Sequence, residues 1–244
     1  MRFAKPWHRW TTVPAGPVVP AVVVGALLLA ACGGSHPSSL KSSPTPSSVQ
    51  PSGGASTSPS ESPIPSERPV PAESNPPGDI PDNTQFVPYR SADGKFVVKV
   101  PEGWSRVTKS GSVSFTDKLN TVAVIWSPAS SAPTVSSVKN DQVPTLRRTE
   151  RAFTLGKVIS CAPSCTIPYS TGPISVSLSA GNAVVVTYQE NSAPNTVTGK
   201  QYRLEVVRFD FYRSGEEADL VLSGPVGSDN VDPWRLVAQS FRWT

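Results

Sequence analysis

From Gly33 to Asn83 the chain runs through 51 residues of which 14 are serine and 12 are proline, without one aromatic side chain. So little apolar surface cannot offset the entropy lost on ordering, and the stretch is predicted to stay disordered. PTPSS and SPIPSERPVP within it favour extended polyproline geometry. As a coil the segment reaches roughly 40 Å, and in stiffer proline-rich form ~150 Å. It therefore reads as a spacer of residues 32–84, and folding is left to residues 85–244. That is the size of one domain.

In front of the spacer stand Arg2, Lys5 and Arg9, with no acid among them, and then an apolar run from Val18 to Ala31. This is the layout of a secretory signal over residues 1–31. The run has 14 residues, short of the ~20 that a membrane-spanning helix needs. It ends in Leu29-Ala30-Ala31-Cys32, followed by Gly33-Gly34. Leu29, Ala30, Ala31 and Cys32 resemble the lipobox of bacterial lipoproteins. The resemblance implies cleavage before Cys32, a diacylglycerol on its thiol and a further acyl chain such as palmitate on the freed amine. Two or three chains, at ~0.8 kcal/mol per buried CH₂, anchor stably where one does not. The small side chains of Ala30 and Ala31 leave the backbone open to a peptidase. The expected location is the outer face of the cytoplasmic membrane, with the membrane itself as a partner through the anchor. The net charge of +4 belongs largely to the leader: beyond residue 31 the count is 19 basic against 18 acidic residues. Nucleic-acid binding gains no support from such a balance.

From about Gln85 the sequence alternates apolar and polar residues. Lys95–Val100, Ser112–Thr116, Thr121–Trp126, Ala152–Ser160, Ile174–Leu178 and Ala183–Gln189 read as strands. Ser179–Asn182 reads as a hairpin turn joining the last two. Tyr202–Arg213 and Ala218–Ser223 form a long pair closed by Ser214-Gly215, the expected sheet centre. A helix is expected from Thr134 to about Arg148, kinked or ended by Pro144. A second follows Asp232, with Asp232 as N-cap, Pro233 in the first turn and Trp234, Val237 and Ala238 as its apolar stripe. Antiparallel strands with two flanking helices define an α+β domain.

Phe96-Val-Val-Lys-Val-Pro-Glu-Gly-Trp104, together with the late hairpin and Asp232-Pro-Trp-Arg-Leu-Val-Ala-Gln-Ser-Phe241, resembles the PsbP-like α/β/α sandwich proteins. These include lipoproteins of high-GC Gram-positive bacteria. The resemblance covers residues 85–244 and implies a fold, not an activity. It implies an accessory or binding role, with a protein of the envelope or an ABC transporter as partner.

The residues for catalysis are few. His8 and His36 are the only histidines and precede the domain, so neither Ser-His-Asp nor Cys-His chemistry can be built there. With Cys32 acylated, Cys161 and Cys165 remain, and in an exported chain they are expected to form a disulfide. A metal at that pair would lack nitrogen and thioether ligands. Ser136–Lys139 and Ser228–Asn230 match two motifs of penicillin-binding enzymes, but the third, K-T-G, does not follow. Glu216, Glu217 and Asp219 beside a turn read as a solvated edge, and Arg203, Arg208 and Arg213 as cross-strand partners of Glu190 or Glu205. No metal or other cofactor is expected. The reading is a non-enzymatic interaction module of the envelope. The alternative is a glycan or small-ligand binder using a tryptophan-lined groove, with Trp104 and Trp126 as contacts.

Overall fold

The computed structural model describes residues 67–244. Leu29, Ala30, Ala31 and Cys32 lie outside the described residues. Five strands come first: β1 (Phe86–Arg90), β2 (Phe96–Pro101), β3 (Ser105–Lys109), β4 (Ser112–Asp117) and β5 (Asn120–Pro128). A helical segment follows, made of α1 (Val135–Ser137), a π-helical turn (Val138–Gln142) and α2 (Val143–Thr149). Next come β6 (Thr154–Cys161), β7 (Ser164–Ile167), β8 (Ile174–Ser177), β9 (Ala183–Asn191), β10 (Arg203–Arg213) and β11 (Glu216–Pro225). Helix α3 (Val231–Ser240) and β12 (Arg242–Trp243) close the chain. The strands form a seven-stranded sheet in the order β3-β4-β5-β11-β10-β9-β6, a three-stranded sheet β1-β2-β12 and the pair β7-β8. The domain is α+β, as expected.

The hairpin β10–β11 organises the large sheet. Ser214 and Gly215 both have positive φ, 49° and 88°, which suits a two-residue turn matched to strand twist. Pairing then runs from Arg213 opposite Glu216 to Leu204 opposite Pro225. Alternation sends Val207, Phe209 and Phe211 to one face, where they meet Phe96, Trp234 and Phe241 in the main core. The Phe211 and Phe241 rings stack with centroids 4.7 Å apart. On the opposite face Val184, Val186 and Val206 pack under Val138, Val143 and Leu146 of the helical segment. Each sheet face is thus covered, one by α3 and the small sheets, the other by α1–α2.

Several details depart from the sequence reading, each for a local reason. Ser179–Asn182 does not join a hairpin: β8 pairs back on β7, and β9 pairs with β10 and β6. Residues 183–188 of β9 are all buried, as fits a strand covered on both faces; β8 alternates buried and exposed residues, which suits a hairpin open to water on one side. Pro144 neither ends nor breaks the helix. The chain widens into a π-turn just before it, where Val143 N–H reaches Val138 O, and the ring is taken into the first turn of α2. The N-cap of α3 is Asn230, not Asp232; Asn230 O accepts from Trp234 N–H at 3.0 Å.

Residues 67–84, whose composition placed them with the spacer, form an extended strap on the domain. Asn191 Oδ1 accepts from Val70 N–H and its Nδ2 donates to Arg68 O. Gly78 O accepts from both Asn120 Nδ2 (2.8 Å) and Asn230 Nδ2 (3.1 Å), and Ile80 N–H donates to Asn230 Oδ1. Ile80 is buried in the main core. Glu67 pairs with Arg151, and Glu73 with Lys200. One isoleucine and a ladder of side-chain amides hold a segment that composition alone reads as loose.

Candidate functional site

The most perturbed groups sit on the helical-segment side of the large sheet. The β10–β11 register sets Asp210 directly opposite Asp219, an arrangement of like charges that is unfavourable by itself. Arg208, two residues along β10, bridges them: its Nε donates to Asp210 Oδ1 at 2.6 Å and its Nη2 lies 2.8 Å from Asp219 Oδ2. All three are buried. Burial works against the guanidinium charge, but the fields of Asp210 and Asp219 outweigh it and hold Arg208 protonated. One cation cannot neutralise both acids. Burial, set against the attraction of Arg208 and aided by repulsion from Asp210 and Glu217, pushes the Asp219 carboxyl well above its ordinary range. A proton kept on Asp219 supplies the donor that Asp210 Oδ2 and Asp219 Oδ1 otherwise lack.

Glu217, half-buried on the same face, accepts at Oε1 from Gln142 Nε2 of the π-turn at 3.1 Å. Burial and Asp210 push its pKa up as well. Oxygens of Asp210, Glu217 and Asp219 lie within 4.8 Å of one another, so these are the residues that could gather round a hard cation. Arg208 already occupies two of the three carboxylates, which leaves the set ill suited to that task. The cluster is therefore a sealed charge network that ties β10 to β11. The expectation that Asp219 sits on a solvated edge is corrected by its burial, and Arg208 pairs with Asp210 and Asp219 rather than Glu190 or Glu205. Glu205 instead accepts from Ser170 N–H at 3.0 Å; Arg203 is hydrogen-bonded to Gln189, Ala152 O, Asn191 and Thr154 and keeps an electrostatic attraction to Glu190, as expected.

Two surface grooves are open to partners. The first, of about 440 Å³, lies where the β1–β2 turn, the β3–β4 turn and the end of β5 meet. Asp93, Lys95, Thr108, Lys109 and Trp126 line it. The Trp126 ring packs edge-on against Phe96, and its Nε1–H donates to Asp93 Oδ2 at 2.9 Å. Burial nudges Asp93 upward, but hydrogen bonds from Ser91, the Lys95 backbone and Trp126 prevail and hold it below its ordinary value. The second groove, of about 470 Å³, runs along α3 beside β2 and β12, with Lys99, Ser179, Arg235, Leu236, Gln239 and Arg242 on its walls.

Trp104 and Trp126 are not brought together. Trp104 directly precedes Ser105, which pairs with Thr116, and Thr116 pairs with Thr121. Trp126 lies five residues further along β5, roughly 17 Å away at strand rise. Trp104 is half-buried against the main core and lines neither groove. Cys161 and Cys165 are joined in a disulfide, with Cα atoms 5.1 Å apart, across the turn between β6 and β7.

No protein-family model and no curated protein matches this sequence. Among solved structures the chain is similar to cyanobacterial PsbP (CyanoP) of Synechocystis sp. PCC 6803, at 15% identity over 70% of this chain and 100% of that one, TM-score 0.41. It is similar to LpqN, involved in cell envelope biogenesis of Mycobacterium tuberculosis, at 12% identity over 67% and 92%, TM-score 0.34. A third is the Saccharomyces cerevisiae Ran-binding protein Mog1p, at 6% identity over 66% and 96%, TM-score 0.40. The chain spans about half the length of a Bacteroides thetaiotaomicron protein that it also resembles, 48% of that chain at 8% identity. These are distant likenesses of fold.

Proposed function

We propose that this protein is an extracytoplasmic lipoprotein, held to the membrane through acylated Cys32, whose domain is a non-enzymatic interaction module of the cell envelope. The observation that carries the location is the Cys161–Cys165 bridge on the folded unit, since disulfides persist in oxidising compartments. It supports the export that the lipobox implies. Residues 1–31 are the leader, the chain from Cys32 the spacer, and the α+β domain the working part. The perturbed carboxylates are spent inside the sheet, and the surface offers charge and shallow grooves, which suits docking on a protein of the envelope such as a transporter.

The groove beside Trp126 favours a second reading, a glycan or small ligand laid on that indole. One comparison separates the two. Crosslinking from the anchored protein is expected to capture a single stoichiometric partner; no partner, with quenching of tryptophan fluorescence by wall glycans, supports the ligand instead. The anchor has its own test. Cys32→Ser is expected to abolish palmitate incorporation and to release the protein from the membrane fraction or leave it uncleaved. A variant that labels and fractionates like the wild type overturns the lipoprotein reading.

A further inference from the structure

The outer face of the three-stranded sheet is cationic. Phe96, Val98 and Val100 of β2 point into the main core, so Val97 and Lys99 lie on the other face of the strand; Lys99 is exposed there, while Val97 is itself covered, at 3% exposure. Val97 is flanked by Arg242 on β12 and by Arg90 on β1 in the same row. At about 4.8 Å between strands the two arginines stand roughly 10 Å apart, with Lys99 about 7 Å along the central strand. All three are exposed. Among the described residues none forms an ion pair with Arg90, Lys99 or Arg242.

The face continues onto α3. Lys99 and Arg242 share a groove with Arg235, which is held by Asp232 at 2.6 Å. Leu236, a partly exposed apolar side chain, lines the same groove. Beyond the leader the chain carries 19 basic against 18 acidic residues, so this concentration of positive charge is local and not a result of general basicity. A shallow face with three cations that have no acidic partner among the described residues, and a leucine at its edge, complements a flat anionic surface.

We infer that the face of Arg90, Lys99 and Arg242, with Leu236 at its edge, docks on an anionic phospholipid bilayer through the lipid phosphates. This rests on the membrane-bound reading and adds an orientation to it: the small sheet faces the bilayer, and the β3–β5 edge and the helical segment stay available to other partners. Each cation at such a surface is worth roughly a factor of five in partition, and removing three costs roughly a hundredfold. Binding falls as salt screens it.

The test uses the unacylated chain from residue 32 carrying Cys32→Ser; the contacts described above all lie within residues 67–244, and so are retained. Co-sedimentation is measured on phosphatidylcholine vesicles with and without phosphatidylglycerol. Binding is expected only with phosphatidylglycerol, and roughly a hundredfold weaker for Arg90→Gln/Lys99→Gln/Arg242→Gln. The charge-matched Lys139→Gln/Arg148→Gln/Lys157→Gln, which alters the helical segment and β6, is expected to bind like the parent. Equal loss in both variants, no loss in either, or no vesicle binding by the parent overturns the inference. So does displacement by inorganic polyphosphate with no preference for the bilayer, which would mark a site for free phosphate. Because no acyl chain is present, none of these results depends on whether Cys32 is modified.

Discussion

Replacing Arg208 with methionine removes the one cation between two buried carboxylates while keeping much of the side-chain volume. At an effective dielectric of about 20, a contact between Arg208 and an ionised carboxylate is worth about 4 kcal/mol, made in full to Asp210 and to Asp219 only when Asp219 has lost its proton. Against that, several kcal/mol of guanidinium desolvation are recovered. The balance is a loss of about 3–5 kcal/mol, the usual cost of stripping one partner from a buried pair. This is a large share of a domain stability of about 5–15 kcal/mol. The loss depends on pH in a definite direction. The folded-state pKa of Asp219 already lies above the ordinary 3.8, so its contribution is full below that value and is lost as pH rises through the folded pKa. Without Arg208 the folded pKa climbs further. Arg208→Met is therefore most damaging near pH 8, and each unit of acidification returns about 1.4 kcal/mol per proton retained by the folded state. Burial also raises Glu190 and Glu205, and they tilt the wild type the same way, so the informative quantity is the difference between variants. Urea unfolding followed by tryptophan fluorescence, at about pH 6 and about pH 8, measures it. Asp219→Asn, which removes the excess negative charge, is expected to stay within about 1 kcal/mol of wild type at the lower pH and to exceed it at the higher. A loss under about 1 kcal/mol for Arg208→Met, or one that is the same at both pH values, refutes the shared-charge account.

Two further outcomes follow from other parts of the fold. A Cβ on Gly78 would fall 2.6 Å from Pro225 Cδ and 2.9 Å from Ser228 Oγ; Gly78→Ala is expected to cost about 1–3 kcal/mol and to open residues 67–84 to limited proteolysis, which the wild-type strap is expected to resist. Cys161→Ala/Cys165→Ala opens a loop with a sequence separation of 4, so its loss should stay below the ~3 kcal/mol of a 15-residue loop, read as a modest fall in the midpoint of thermal unfolding.

Period-two alternation and turn residues made β2, β4, β5, β6, β8, β9, β10 and β11 legible in the sequence, and the Trp234–Val237–Ala238 stripe made α3 so. Strands β1, β3, β7 and β12 were not, because they are short and lie at sheet edges or in small sheets, where alternation is weak. The buried cluster could have been found. Once Ser214-Gly215 is taken as a two-residue turn, the register alone sets Asp210 opposite Asp219 and leaves Arg208 as the near cation; nearness to the turn does not bring Asp219 to the surface, because the helical segment covers that face. The grooves were beyond reach, since each is assembled from turns or strand ends distant in the chain. Trp104 and Trp126, adjacent as candidates on paper, are separated by the β3–β5 meander.

The strap changes what tension does to this molecule. A pull from the N-terminal side meets the Glu67 contacts first, then the Asn191 clasp, then Glu73–Lys200, and only then the amides at Gly78 and the side chain of Ile80. Such a series peels one clasp at a time instead of shearing all together. Releasing all of residues 67–84 would pay out about 60 Å of extended chain before load reached the large sheet, a built-in slack that yields in steps.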